Sequence, residues 1–127
     1  MHCIVYCLTQ THTDTTDLWE VQLRKGCLEL AIMACLSGGR MYGLEILRVL
    51  EKESGLVITE GTVYPLLSRL RNEGLLDAEW VEAELGHPRR YYRLTAGGRK
   101  RALAMTQIWH RFSTKLNGLL KPLKEER

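Results

Sequence analysis

Across residues 59–76 (TEGTVYPLLSRLRNEGLL) the apolar positions Val63, Leu66, Leu67 and Leu70 recur at i, i+3, i+4 and i+7. That spacing predicts a helix that buries one side. Wound at 3.6 residues per turn, the same helix carries Gly61, Pro65, Ser68 and Asn72 on its opposite side. Tyr64 and Arg71 run along one edge of that side, and Thr62 and Arg69 along the other. One reading is a core helix with a solvated back. An ordinary solvent face carries Glu, Lys and Gln, however, whereas this one is small, nearly neutral at its centre and edged by arginine. Such a face can approach another surface closely. Pro65 is tolerable near the helix start, where few backbone N–H groups have intrahelical partners. Thr59 is expected to cap the helix, and Gly74 to close it as the glycine that turns Leu75 and Leu76 back to the core.

The flanking patterns give this helix its setting. Asp17 is expected to be the N-cap of a first helix that ends at Gly38-Gly39. Residues 27–36 (CLELAIMACL) are apolar almost all round, which makes this the most enclosed helix of the domain. Arg40-Met41-Tyr42-Gly43 leads into a second helix, to about Ser54, with Leu44, Leu47, Val49 and Leu50 for the core and Gly55 as its stop. Residues 56–58 (LVI) read as a short strand. Residues 76–84 (LDAEWVEAE) read as a longer one, with Leu76, Ala78 and Trp80 on one face. Gly86-His87-Pro88 punctuates the chain, and residues 89–94 (RRYYRL) form the returning strand. Helix, strand, basic loop and strand predict a winged helix-turn-helix, its third helix shaped for a major groove and its hairpin tip for backbone or minor groove. The fold class is therefore mainly α with a small β component (α+β).

A last helix is expected from Thr95 to about Leu120, stopped by Pro122. Met105, Trp109, Phe112, Leu116, Leu119 and Leu123 step by 4, 3, 4, 3 and 4, the repeat of a coiled-coil-like seam. At about 25 residues the helix extends about 40 Å, more than a small domain covers. The seam needs a partner, and a second copy is the economical one. Trp109 has two readings: dimer packing, or the lining of a ligand pocket between subunits.

The chain has 127 residues, enough for one domain with a modest core. The division expected is an extension over 1–16, the winged helix over 17–95, and the dimerisation helix and tail over 96–127. A net charge of +3 says little by itself. Its distribution says more. Residues 85–101 hold Arg89, Arg90, Arg93, Arg99, Lys100 and Arg101 and no acid, while the preceding strand holds Asp77, Glu79, Glu82 and Glu84 and no base. Cross-strand pairing neutralises part of this, and the remainder reads as a phosphate-binding patch or a solvated basic face. Arg24 and Lys25 can likewise reach a phosphate or merely solvate their helix. No apolar run reaches membrane-spanning length and the start lacks the pattern of a signal peptide, so a cytoplasmic protein with no membrane partner is expected. Its four cysteines are then reduced thiols. Cys27 and Cys35 lie roughly 12 Å apart along a helix, too far for a mutual disulfide. His2, Cys3, Cys7 and His12 match no familiar zinc spacing, so no metal and no cofactor is expected. No nucleophile–base pair or paired carboxylates stand out, and Gly97-Gly98 at a helix start is weak grounds for an anion site, which argues against an enzyme.

QLRKG (residues 22–26), MYGLEI (41–46), the segment 59–76 and RRYYRLTAGGR (89–99) together resemble the PadR family of bacterial transcriptional regulators. The resemblance covers about residues 18–120, and the N-terminal extension is the departure from it. It implies a winged helix followed by a dimerisation helix, in the smaller branch of the family. It also implies a homodimeric repressor of double-stranded DNA, released by small aromatic or hydrophobic effectors such as phenolic acids. In some members a tryptophan of the last helix faces its mate across a central pore, and Trp109, fourteen residues after Thr95, sits where that residue would be. Thr62, Tyr64 and Ser68 are then expected to offer hydroxyls to phosphates and base edges. Arg69, Arg71 and Lys25 would lie against the backbone, and Arg89 and Arg90 would arm the wing, with Tyr42 of MYGLEI in the same set. Tyr64 has the alternative of packing against the wing. Met105 and Trp109 are the ligand candidates, and Met105, Trp109, Phe112, Leu116, Leu119 and Leu123 the dimer seam. The alternative function is a protein-interaction module that keeps the winged-helix fold without sequence-specific DNA binding.

Overall fold

The structure, a computed structural model, describes residues 15–82 and 86–125. Helix α1 (Thr15–Cys35) runs into a 3-10 turn (Leu36–Gly38), strand β1 (Met41–Tyr42), helix α2 (Gly43–Ser54) and helix α3 (Glu60–Asn72). Strands β2 (Leu76–Val81) and β3 (Arg89–Leu94) follow, then helix α4 (Ala96–Glu125). This is the mainly helical winged helix-turn-helix that the residue pattern predicts. Ile32 and Met33 of the apolar end of α1 and Leu36 of the 3-10 turn lie at the centre of the core. Ile46 and Leu50 of α2 and Val63, Leu67 and Leu70 of α3 close on them from one side. Leu76, Tyr92 and Leu94 of the hairpin close from the other.

The sheet is antiparallel in the order β1-β3-β2. Met41 pairs with Tyr92 and Tyr42 with Tyr91, while β2 pairs along β3 from Leu76–Leu94 to Val81–Arg89. The third strand is thus Met41–Tyr42 and not residues 56–58. The N–H groups at the end of α2 explain the change. Gly55, at φ 72°, donates to Glu51 O at 3.0 Å, and Leu56 donates to Leu50 O at 3.2 Å. Leu56 is therefore bound into the helix-terminating turn and, with Ile58, packs on the core instead of a sheet edge.

Other boundaries also move. α1 already includes Thr15, so Asp17 lies within its first turn and is not the N-cap. Leu44 of α2 is exposed and Ile46 is buried in its stead, because the α2 face that meets the core is set by Gly43, Ile46 and Leu50. β2 ends at Val81 rather than Glu84, which lies outside the described residues. Trp80 stands beyond the core edge at 65% exposure. Thr59 occupies the cap position of α3 without a side-chain bond to its backbone. Pro122 does not stop α4, since a proline in the last turn removes a single backbone bond near an end that frays anyway. His2, Cys3, Cys7 and His12 lie outside the described residues.

Two contacts set the angle of α4 against the winged helix. The Thr95 hydroxyl accepts from Gly98 N–H at 2.9 Å and donates to Gly74 O at 2.7 Å, so one side chain joins the end of α3 to the start of α4. Gly98 lies against the Leu75 carbonyl so closely that a Cβ there would overlap its oxygen. Gly98 is thus packing space between α4 and Leu75.

Candidate nucleic-acid interface

α3 presents the small face its sequence predicts. Gly61, Thr62, Pro65, Ser68, Arg71 and Asn72 are all exposed. Gly74, at φ 80°, ends the helix in a Schellman turn, with Leu75 N–H on Leu70 O and Gly74 N–H on Arg71 O, both at 3.0 Å. At the other end the Thr59 and Thr62 hydroxyls lie 3.2 Å apart. The Tyr64 ring occupies the space that a Cβ on Gly43 would take, so it packs on the start of α2. The side chain is still 36% exposed. Burial first, then the Glu60 carboxylate and Tyr92, push the phenol above its ordinary pKa, so Tyr64 stays a neutral hydroxyl.

The basic residues sort by whether a carboxylate neutralises them. Arg69 donates to Glu29 at 2.9 Å and to Glu73 at 2.8 Å. The hydrogen bonds it donates to Glu29 and Glu73 hold it firmly charged. Glu29 also pairs with Arg101 at 3.5 Å, so this one carboxylate ties α1 to both α3 and α4. Arg24 pairs with Glu20 at 2.9 Å, and Arg40 and Arg93 share Glu79 Oε1 at 3.0 and 3.4 Å. Arg99 donates to the Ser37 carbonyl at 3.3 Å. Among the described residues Lys25, Arg71, Arg89 and Arg90 have no ion pair. Lys25 borders a small hollow of about 160 Å³ with Thr59 and Thr62 at the α3 N-terminus.

Alternation along β3 sends Arg89 and Arg90 to opposite faces of the wing. Arg89 stacks on Tyr42, 4.5 Å from its centroid, on the outer face of the sheet. Arg90 lies 5.6 Å from the Trp80 centroid and 5.9 Å from that of Tyr92, on the face toward α3, with its Nε buried and unpartnered. Among the described residues rings, not carboxylates, hold both cations, and a ring does not cancel their charge.

At 30 residues α4 spans about 45 Å, and beyond the turns that meet α1 nearly all of its described residues are exposed. Met105 packs on the core margin, but Trp109, Phe112, Leu119 and Leu123 are 44%, 57%, 77% and 66% exposed, and Leu116 is exposed as well. Leu23, Cys27 and Leu30 of α1 meet Met105, Trp109 and Phe112 of α4 around an apolar cavity of about 520 Å³. Burial raises the Cys35 thiol pKa, and Cys27 and Cys35 are both free.

A family model described as the Transcriptional regulator PadR-like family matches residues 32–104. Those residues take in the core end of α1, the helix-turn-helix, the wing and the start of α4. The chain belongs to this family. A PadR-like transcription factor from Bacteroides fragilis is 41% identical, with a TM-score of 0.67 over 79% of this chain and 96% of that one. A PadR-like transcriptional regulator from Bacillus cereus is 35% identical, with a TM-score of 0.71 over 78% and 96%. A PadR family transcriptional regulator from Eggerthella lenta is 30% identical, with a TM-score of 0.78 over 87% and 96%. No curated protein sequence matches. This PadR-like chain is thus a transcriptional regulator, in a family of regulators and not of enzymes. No helix among the described residues is long and apolar enough to cross a membrane.

Sequence reasoning missed three parts of the site. The side of α1 that lines the cavity with α4 had a signal, since Leu23, Cys27 and Leu30 recur at i, i+4 and i+7. The Glu29 node had a weaker one, a lone acid inside residues 27–36. The ring contacts of Arg89 and Arg90 depend on strand register, and nothing local in the sequence specifies them.

Proposed function

We propose that this regulator is a homodimeric DNA-binding repressor of an inverted-repeat operator, released by a small aromatic or hydrophobic ligand. The observation that carries the reading is the bare, small face of α3, bordered by cations that no carboxylate among the described residues neutralises: Lys25 at its N-terminus, Arg71 along its edge, Arg89 and Arg90 on the wing. A surface that is flat at its centre and positive at its margins suits a groove walled by phosphates. Thr62, Ser68 and Tyr64 present hydroxyls to phosphates and base edges, and Lys25, Arg71, Arg89 and Arg90 meet the backbone. Arg69, held between Glu29 and Glu73, braces α3 against α1.

The exposed run of Trp109, Phe112, Leu116, Leu119 and Leu123 supports dimerisation through α4, because an apolar ridge of this length is costly in water. The cavity beside it supports the effector. Its volume of about 520 Å³ falls within the usual range for small-molecule sites, and its walls, Met105 and Trp109 among them, are apolar. Gel shifts with the DNA upstream of this gene, at two salt concentrations and with or without phenolic compounds, test the whole reading. A retarded band that weakens with salt and is released by ligand is expected. Binding that is absent at low salt overturns the DNA reading, and a band indifferent to the compounds overturns the effector reading for that class.

A further inference from the structure

Four side chains form a ladder on the outer face of the wing. Arg40 stands 4.6 Å from the Tyr91 centroid, Tyr91 meets Tyr42 edge to face at 5.4 Å and 73°, and Arg89 stands 4.5 Å from the Tyr42 centroid. Backbone pairing fixes the two central rungs, since Tyr42 and Tyr91 are directly opposed in the β1–β3 register. The lower end is closed by charge: Arg40 and Arg93 share the carboxylate of Glu79. The upper end is open. Arg89 is exposed and, among the described residues, makes no hydrogen bond or ion pair, so the Tyr42 ring alone directs it. A ring stabilises a guanidinium without accepting its N–H groups in carboxylate fashion, and the charge and donors stay available for a phosphate.

Resting on the DNA-binding reading above, we propose that Tyr42 is a positioning residue for Arg89, holding its guanidinium at the wing for a backbone phosphate. Tyr42 then acts on DNA through its ring and Arg89, and not through its own hydroxyl. An arginine already directed toward its acceptor has less side-chain freedom to lose on binding.

The test uses the full chain and a mixed-sequence duplex at low salt, because phosphate contacts do not depend on sequence. Wild-type protein should bind with strong salt dependence, and an absence of any binding overturns the DNA reading itself. Given binding, Arg89→Ala should lower the salt slope by about one unit per subunit. Tyr42→Leu should weaken binding about 2–5-fold with the slope nearly unchanged, the scale of one exposed cation–π contact. Tyr42→Phe should bind like wild type. In the Arg89→Ala background, Tyr42→Leu should have no further effect. Equal weakening by Tyr42→Phe means the hydroxyl touches DNA, and equal weakening in the Arg89→Ala background means the ring acts through the fold. Either result overturns the proposal. A measurement on the unaltered protein guards against misfolding of the leucine variant: the Arg89 Nε–H order parameter without DNA should be high. A value below about 0.6, that of a free surface side chain, overturns the proposal as well.

Discussion

On α3 the uncovered face consists of Gly61, Pro65, Ser68 and Asn72, and on α4 of Trp109, Phe112, Leu116, Leu119 and Leu123. Both helices rest on the same domain and leave these residues largely to water. The difference lies in what water does at each face. Around the small polar residues of α3 it is readily held and readily displaced, so that face can stay bare until a charged surface arrives. Around the leucines of α4 burial is favourable at about 25 cal/mol per Å², which gives that face a standing reason to be covered. One face therefore suits a reversible partner and the other a permanent one. Each can be disturbed separately, and so can the geometry that joins them.

The largest effect expected is on the joint geometry. In the proposed dimer, two α3 helices related by a two-fold axis through α4 would have to meet half-sites about 10 base pairs, or a whole number of turns, apart. A five-pair insertion between half-sites turns one to the far side of the duplex. Binding in footprinting should fall to the non-specific level, a loss on the order of 10³-fold or more. A ten-pair insertion should cost less if the dimer can span it. Equal affinity for the native and five-pair sites would show that the two α3 faces do not act as a rigid pair.

Next comes the apolar face alone. Phe112→Glu places an unpaired charge in the seam, a cost of several kcal/mol when that seam is buried between copies. Light scattering should show monomer or aggregate, and cooperative DNA binding should be lost with it. A dimer of wild-type size would mean that the covered face of α4 lies elsewhere, for example nearer Ile108 and Leu103, which are also exposed.

How well the sequence foretold each face follows from what defines it. The buried side of α3 is a property of a single helix, so periodicity alone located Val63, Leu67 and Leu70 inside. The seam proposed on α4 rests on the same kind of pattern, and its Phe112 and Leu119 are exposed in the single chain. The exchange of residues 56–58 for Met41–Tyr42 as third strand was not legible. Either segment can pair with β3, and the choice falls to the turn at Gly55, which takes Leu56 N–H for the end of α2. The same limit applies to charge. Counting residues 85–101 finds six cations, but Arg93 is answered by Glu79 and Arg101 by Glu29, at 14 and 72 positions' remove. Tertiary pairing decides which cations are free, and only the fold reveals it.

The polar face is tested first at the wing. Arg89→Ala with Arg90→Ala should weaken binding to all sequences alike and reduce the salt slope by about one to two units per subunit. Because the two side chains leave β3 on opposite faces, the single variants need not be equal. A double variant whose affinity is unchanged at two salt concentrations would place the wing away from DNA.

The smallest effect separates two arginines on the edges of the same helix, which the sequence treats alike. Arg71 is exposed and, among the described residues, unpaired, whereas Arg69 gives one terminal nitrogen to Glu29 and the other to Glu73. If Arg71 meets a phosphate, Arg71→Ala releases one fewer counterion, and the salt slope falls by about one unit per subunit while thermal stability is nearly untouched. Arg69 is already neutralised, and moving it to DNA would strand Glu29 beside Arg101 alone. Arg69→Ala should therefore lower Tm and leave the salt slope where it was. Glu29→Gln gives the complementary measurement: it frees Arg69 from one carboxylate, so the slope should stay the same or rise. A slope that falls with Arg69→Ala as far as with Arg71→Ala would mean that Arg69 leaves Glu29 when DNA binds. The brace between α1 and α3 would then be a contact made only in the free protein.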